Sequence, residues 1–184
     1  MKKRDFLKAG AGAGLVLPSA AMAQQAGPTY TWKMATAWPG GPLMDIGAKA
    51  FAEKMEMFSG GRFKIQTFPG GALGNALKVP ETVKNGVAEC GHTWIGYDWG
   101  KDPTTVLFGG YAGSFDTERM LHWIYEAGGL EMQRQYRDDS EGVYSTVLFI
   151  RTAEVFLHSR KPVKTLADLK GLKLRTAGAW LEMA

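Results

Sequence analysis

Segments with strand-type and helix-type hydrophobic patterns alternate along residues 30–94, and this alternation constrains the fold of the chain more than any other feature. Residues 30–36 are typical of a first strand, and residues 63–67, where apolar and polar side chains alternate, of a second. Over residues 42–58, apolar side chains recur at steps of three and four, which predicts an amphipathic helix. A short helix over 80–85 and a third strand or extended segment over 87–94 complete a β-α-β-α-β order. This order predicts an α/β fold with an open sheet.

The second half of the chain continues with two helices and two further strands. Asp116 can cap a helix, and a pair of glycines is expected to interrupt it before a second helical stretch that reaches Tyr136. The nearly continuous apolar run at 143–150 predicts a buried strand. A short helix over 165–168 precedes a last predicted strand at 172–176. The acidic side chains nearby are predicted to be solvated in a polar turn; they are Asp138, Asp139 and Glu141.

The N-terminal segment has the three-part pattern of a secretory signal peptide. Four basic residues lie in the first eight positions, residues 9–17 are small and apolar, and residues 21–23 form a small-x-small cleavage pattern. The sequence KRDFLK at 3–8 also resembles a twin-arginine export signal with lysine in the first basic position. We therefore expect residues 1–23 to be removed after Ala23 and the remaining chain to lie in the periplasm.

Charge, cysteine content and motifs argue against several classes of function. The signal segment accounts for three of the four net positive charges of the 184-residue chain, so the remainder lacks the concentrated basic face that nucleic acids require. Cys90 is the single cysteine, so no intramolecular disulfide can form. No run after the signal segment is long and apolar enough to span a membrane. No nucleophile–base motif indicates an enzyme, and the three histidines have no metal-ligand spacing.

Four side chains lie where open α/β folds bind their ligands, at the carboxyl ends of strands. Trp38 follows the first predicted strand, and Tyr97 follows the third in a cluster of aromatic residues. A tyrosine hydroxyl can donate to a carboxylate while its ring forms a pocket wall. Arg175 ends the last predicted strand and offers a planar guanidinium that matches a carboxylate. Arg151 also ends a predicted strand. A surface or ion-paired role is the alternative for both arginines, and a role in capping the core is the alternative for the aromatic residues.

Several motifs, taken in order, resemble one family of binding proteins. The segment 165–175 reads TLADLKGLKLR, and 32–39 reads WKMATAWP. FAEK at 51–54 with SGGRF at 59–63, and VAECGH at 87–92, continue the similarity. Together they resemble the solute-binding subunits of TRAP (tripartite ATP-independent periplasmic) transporters, the DctP-type proteins. The loop after Trp38 and the segment at 91–92 are most similar to the branch that binds 2-oxo acids and 2-hydroxy acids.

The resemblance implies a type II periplasmic-binding-protein fold with two lobes that close on a ligand. It divides the chain into the signal peptide 1–23, a first α/β lobe at 24–142, and the start of a second lobe at 143–184 that is incomplete, with the C-terminal part missing. It implies that Arg175 grips the carboxylate of a small organic acid and that Tyr97 contacts the same ligand.

The resemblance also implies a cation and a membrane partner. In the 2-oxo acid branch a glutamine touches both ligand and metal, and Glu154 falls at that position here. A sodium or calcium ion is therefore expected beside the ligand, with Glu154 as a metal ligand, and no organic cofactor. The implied partners are the small organic acid, which can also be a C4-dicarboxylate, and the membrane subunits of a TRAP transporter.

Three alternatives to a transport receptor stay open at this point. A ligand-sensing module that feeds a signalling receptor would use the same closure. A periplasmic enzyme would need a nucleophile–base pair that no motif supplies. A non-functional fragment of a binding protein is the third, because the chain ends abruptly at Ala184 after a predicted strand.

Overall fold

A three-stranded parallel sheet organises the first half of the chain in the computed structural model, which describes residues 27–111, 113–151, 157–176 and 178–183. The central strand is β1, with β2 on one side and β3 on the other, and both pairings are parallel. Parallel neighbours place all carboxyl ends at one edge of the sheet. The strands are β1 (Tyr30–Thr36), β2 (Phe63–Phe68) and β3 (Cys90–His92).

Helices connect these strands, and further helices separated by loops follow the third strand. A π-helical segment, Leu43–Lys49, runs directly into the first α-helix, and two 3-10 helices span Ile95–Gly100 and Leu166–Leu169. The α-helices are α1 (Ala50–Phe58), α2 (Val79–Lys84), α3 (Thr105–Gly109), α4 (Thr117–Glu126), α5 (Gly129–Glu141) and α6 (Ala179–Met183).

The predicted β-α-β-α-β order is confirmed for residues 30–92. The first strand has the predicted bounds, the second extends one residue further, and the predicted helix over 42–58 is the π-helical segment plus α1. Pro42 precedes that helix, where its missing N–H costs no hydrogen bond. Side chains from both faces of β1 enter one core; its buried members are Met34, Ala35, Ala37, Trp38, Met44, Ala48, Val79 and Ala88.

The third strand is shorter than its predicted extended segment because side chains take over part of the pairing. The Glu89 carboxylate accepts a hydrogen bond from the Lys33 backbone N–H at 2.7 Å, in place of a backbone partner. The Lys33 ammonium in turn donates to the Val87 carbonyl at 2.8 Å. Backbone pairing with β1 therefore begins only at Cys90.

Helix α5 corrects the prediction of a solvated acidic turn. The helix continues to Glu141, five residues beyond Tyr136, where the sequence pattern predicted its end. Asp138 and Asp139 are exposed as predicted, but Glu141 is only 6% exposed. Glu141 lies on the inner face of the helix, one turn after Arg137, which neutralises it. Arg137 lies four residues before Glu141, one helical turn away. This spacing was the sequence signal for a buried ion pair that the prediction of a turn overlooked.

The predicted buried strand at 143–150 is wrong, because these residues form no strand pairing in the structure. The segment instead turns back and runs beside helix α5. Gln133 donates to the Ser145 hydroxyl at 3.1 Å, and Arg134 donates to the Ser145 carbonyl at 3.2 Å. An apolar run predicts burial, but a strand also needs a neighbouring strand, and that partner is set by tertiary structure.

The predicted last strand at 172–176 is also wrong. Its residues have no strand pairing, and Leu174 is 44% exposed, so the segment is neither paired nor buried. The preceding short helix is confirmed as the 3-10 helix Leu166–Leu169. It begins with a capping box in which the Thr165 backbone and hydroxyl both donate to the Asp168 carboxylate.

Candidate functional site

The carboxyl ends of β1 and β3 are joined by backbone hydrogen bonds that continue past the strands. The Ala37 N–H donates to the His92 carbonyl at 3.0 Å, and the Gly70 N–H donates to the Trp38 carbonyl at 2.8 Å. The loops after all three strands are therefore held side by side at one sheet edge. This is the edge at which open α/β folds bind ligands.

Trp38 and His92 form a buried polar pair at this edge. Their side chains are 7% and 9% exposed, and the Trp38 indole N–H donates to Nδ1 of His92 at 2.9 Å. Because an indole can only donate, Nδ1 must be the acceptor, so the neutral ring carries its proton on Nε2. Burial lowers the pKa of His92 to about 4. His92 is thus held as a neutral ring by its hydrogen bond with Trp38.

Tyr97 stands in front of this pair on the 3-10 helix Ile95–Gly100. Its ring centroid is 6.2 Å from that of Trp38 and 5.3 Å from that of Trp94, edge-on to the latter. Among the residues that the structure describes, none makes a hydrogen bond to the Tyr97 hydroxyl. The ring is therefore held by aromatic packing while its polar end is available. Of the predicted site residues, the structure brings together Trp38 and Tyr97.

Gly47 lets a distant part of the chain approach the same edge. A Cβ atom on Gly47 would lie 2.6 Å from a ring carbon of Phe149 and 2.7 Å from one of His92, closer than real Cβ atoms come. The Phe149 ring packs on His92 with centroids 5.6 Å apart. Segment 143–150 thus reaches the strand ends through Phe149 rather than through sheet pairing. The sequence analysis identified neither Gly47 nor Phe149 as a site residue, because a local sequence pattern does not show which distant residues come into contact.

Arg175 lies on an exposed, unpaired segment instead of ending a buried strand. Among the described residues it has no ion-pair or hydrogen-bond partner. Three residues later, Gly178 packs closely on the 3-10 helix: a Cβ there would lie 2.9 Å from the Gly96 carbonyl and 3.4 Å from the Trp94 ring. Three residues span at most about 11 Å, so Arg175 is tethered near the aromatic cluster that includes Tyr97.

A small cavity lies beside this contact, with room for about 30 Å³. That volume is far below the few hundred Å³ of an ordinary ligand pocket. The residues that line this cavity therefore supply one aromatic wall of a site and not an enclosed ligand pocket. The lining residues are Trp94, Gly96, Trp99, Val106, Gly110, Tyr111, Ala179 and Trp180.

A cation site is not formed by the described residues alone. Within the described ranges, no three histidine, cysteine or acidic side chains group in a way that could hold a metal ion. The carboxylate nearest to Tyr97 along the chain is Asp98, and it is bound to Arg137 at 2.6 Å. The predicted metal ligand, Glu154, lies outside the described residues.

The described part of the chain also contains no helix long and apolar enough to cross a membrane.

Comparison with known proteins identifies a family. Residues 34–184 match the model of the DctP family, described as bacterial extracellular solute-binding protein, family 7. The chain is also 32% identical over 186 aligned residues to a monocarboxylate 2-oxoacid-binding periplasmic protein of Nostoc sp. strain PCC 7120. This alignment covers 97% of the chain and 50% of the relative, so the chain spans about half the length of that protein.

Solved structures with the same fold are TRAP solute-binding proteins. One from Bordetella bronchiseptica RB50, with calcium and picolinate, has a TM-score of 0.75 and 28% identity over 83% of this chain and 45% of its own. One from Pseudoalteromonas atlantica T6c, with sodium and pyruvate, has a TM-score of 0.57 and 28% identity over 60% of this chain and 34% of its own. A Colwellia psychrerythraea protein with calcium and pyruvate matches equally well. The predicted α/β periplasmic-binding-protein fold and the predicted family are both confirmed, and the chain belongs to the DctP family of bacterial extracellular solute-binding proteins.

Proposed function

We propose that this protein is the periplasmic receptor of a TRAP-type transporter and that it captures a small organic carboxylate without chemically changing it. The observation that supports this most directly is family membership, together with relatives that hold pyruvate or picolinate. Among the acids considered, 2-oxo acids are the first choice, ahead of 2-hydroxy acids and C4-dicarboxylates, because the Nostoc relative is a 2-oxoacid-binding protein.

In this proposal Arg175 and Tyr97 hold the carboxylate. A guanidinium forms two parallel hydrogen bonds to a carboxylate, and a tyrosine hydroxyl adds a third donor at low entropic cost. The contact of Gly178 with Gly96 and Trp94 supports the pairing, because it tethers Arg175 near Tyr97. Trp38, whose N–H is already bound to His92, contributes its ring as a wall behind Tyr97.

One residue is assigned to the cation that accompanies the ligand in the related structures. Glu154 is proposed to supply a carboxylate oxygen, the ligand type that sodium and calcium prefer. No described residue is assigned to the ion, because none of them forms a suitable cluster. Glu154→Ala, which removes the side-chain oxygens at this position, is expected to weaken the dependence of acid binding on calcium, and a fully retained dependence would contradict this role.

Location and delivery complete the proposal. Residues 1–23 are proposed to direct export and to be cleaved after Ala23, which places the mature chain in the periplasm. There the ligand-bound form would dock on the membrane subunits of the transporter. A chain that keeps residues 1–23 after expression in bacteria and isolation of the periplasm, as judged by intact mass, would contradict the cleavage.

The deciding experiment measures binding by the chain from Gln24 to Ala184. Calorimetry and thermal unfolding with pyruvate, lactate and succinate, each with sodium or calcium, are expected to give a binding isotherm and a raised midpoint for one acid class. Arg175→Ala should weaken that binding by about 2–5 kcal/mol, because a charge-assisted contact is lost. Arg160→Ala, at another exposed arginine of the same half, is the matched control and should bind normally. Equal binding by both variants would refute the role of Arg175, and binding of no acid would refute capture by this chain on its own.

A further inference from the structure

A buried cluster of charges lies directly behind the helix that carries Tyr97. Arg137 of α5 is 4% exposed and donates to the Asp98 carboxylate at 2.6 Å and to the Glu141 carboxylate. Asp98 is 3% exposed and Glu141 6%. One guanidinium thus joins the residue that follows Tyr97 in sequence to the last turn of α5.

Lys101 extends this cluster to a third element. Its ammonium lies 3.2 Å from Glu141, 3.7 Å from Asp98 and 3.0 Å from Glu81 of α2. Lys101 is partly exposed, whereas the Arg137–Asp98–Glu141 core is not. The charged cluster therefore fastens the 3-10 helix Ile95–Gly100 to α5 on one side and to α2 on the other.

A gain in folding stability is a weak explanation for a buried cluster of charges. Burying ions costs desolvation energy, and well-packed apolar residues of similar volume often stabilise a fold equally well or better. Charged hydrogen bonds differ from apolar contacts in being directional, so they hold one geometry. The other side-chain contacts of Tyr97 are aromatic, one tilted against Trp38 and one edge-on against Trp94, and neither is a directional contact to its hydroxyl.

We infer that Arg137 is a positioning residue for ligand recognition: through Asp98 it fixes the 3-10 helix and thereby the place of the Tyr97 side chain. The inference rests on the proposed role of Tyr97 in carboxylate binding. Arg137 itself needs no contact with the ligand. Both contacts of Arg137 come from one guanidinium nitrogen, Nη1. A lysine at this position keeps the charge but places a more strongly hydrated ammonium on a flexible stem there, so it should restore the position of the helix only in part.

The test combines backbone hydrogen exchange with binding of pyruvate in calcium. In Arg137→Met, exchange across residues 95–100 is expected to rise about tenfold, while exchange in β1 changes little. Arg137→Lys should be intermediate. The dissociation constant for pyruvate should rise about tenfold in Arg137→Met, in parallel with the local exchange. Arg134→Met is the matched control, because Arg134 is on the same helix and outside the charged cluster.

Each outcome decides one part of the inference. A uniform rise of exchange that includes β1, or unchanged exchange at 95–100, overturns the positioning role. Faster local exchange with unaltered pyruvate binding overturns the link to recognition. If the parent chain binds no acid, the proposed function fails and the link to recognition fails with it, whereas exchange still shows whether Arg137 fixes the helix. If Arg137→Met does not fold, Asp98→Asn keeps the shape and is expected to give the same local change.

Discussion

At the residue scale, the hydrogen bond between Trp38 and His92 links the protonation of His92 to the packing of the core. The indole N–H occupies Nδ1 of a ring that is almost fully buried, so a proton can reach Nδ1 only by breaking that hydrogen bond. The unfolded chain has no such restriction, and its histidine titrates near pH 6.5. Folding and protonation of His92 therefore oppose each other over a defined pH range.

Stability is expected to fall as the pH is lowered from about 6.5 towards 4, the window between the unfolded and folded pKa values of His92. In this window the unfolded state binds a proton that the folded state does not, so the free energy of unfolding decreases by up to about 1.4 kcal/mol per pH unit. Urea unfolding across this range measures the slope. His92→Asn should reduce it, and His122→Asn, at an exposed histidine, should not. Equal slopes in both variants would contradict the prediction.

Replacing Gly47 tests the close approach of Phe149. Gly47→Ala places a methyl group within 2.7 Å of both the Phe149 and His92 rings, so one of them must move. We expect the free energy of unfolding to drop by about 1–3 kcal/mol, despite the helical preference of alanine. Gly100→Ala is the control, because a Cβ there meets nothing within 4 Å. A stability gain at Gly47 would show that Phe149 does not pack there.

At the scale of elements, helix ends followed the sequence closely where a side chain makes the cap. Asp116 was predicted to cap a helix, and its carboxylate accepts from the Arg119 N–H at 2.9 Å at the start of α4. Strands did not follow the sequence in the same way. Runs 143–150 and 172–176 have strand-like composition but no pairing, because a cap is local and a strand partner is distant.

Loss of the Asp116 cap should have a small and specific cost. Asp116→Ala leaves the N–H of Arg119 without its side-chain acceptor, which should lower the free energy of unfolding by about 1 kcal/mol. Asp116→Asn keeps an acceptor oxygen and should cost only a few tenths of that. Denaturant unfolding of the three proteins measures the difference. If alanine and asparagine were equally destabilising, the lost charge and not the cap would be responsible.

At the scale of the whole molecule, regular structure is concentrated before residue 142. The sheet, its core and helices α1 to α5 all lie there, whereas residues 157–164 belong to no helix or strand. Segments with little regular hydrogen bonding open at low free energy. The division of the chain between residues 142 and 143, drawn from the resemblance, stays a prediction.

Limited digestion with trypsin should therefore begin between residues 160 and 164. Arg160, Lys161 and Lys164 are exposed on that segment, whereas the Lys33 backbone is bound within the sheet. The first fragments, identified by mass spectrometry, are expected to end at Arg160 or Lys164, because Pro162 blocks cleavage after Lys161. Changing all three to glutamine should delay the first cut markedly. Early cleavage at Lys49 or Lys54, which lie in the helix after β1, would contradict the prediction.

The sequence by itself determined the α/β class, the bounds of β1 and of the helix that follows it, the cap of α4 and the family. These depend on period, composition and motifs that neighbouring residues carry. Only the tertiary structure decided that His92 pairs with Trp38, that Phe149 reaches Gly47, and that Arg137 binds Asp98. Each of these contacts joins residues that lie far apart in the chain, and a local pattern carries no information about which distant partner a side chain meets.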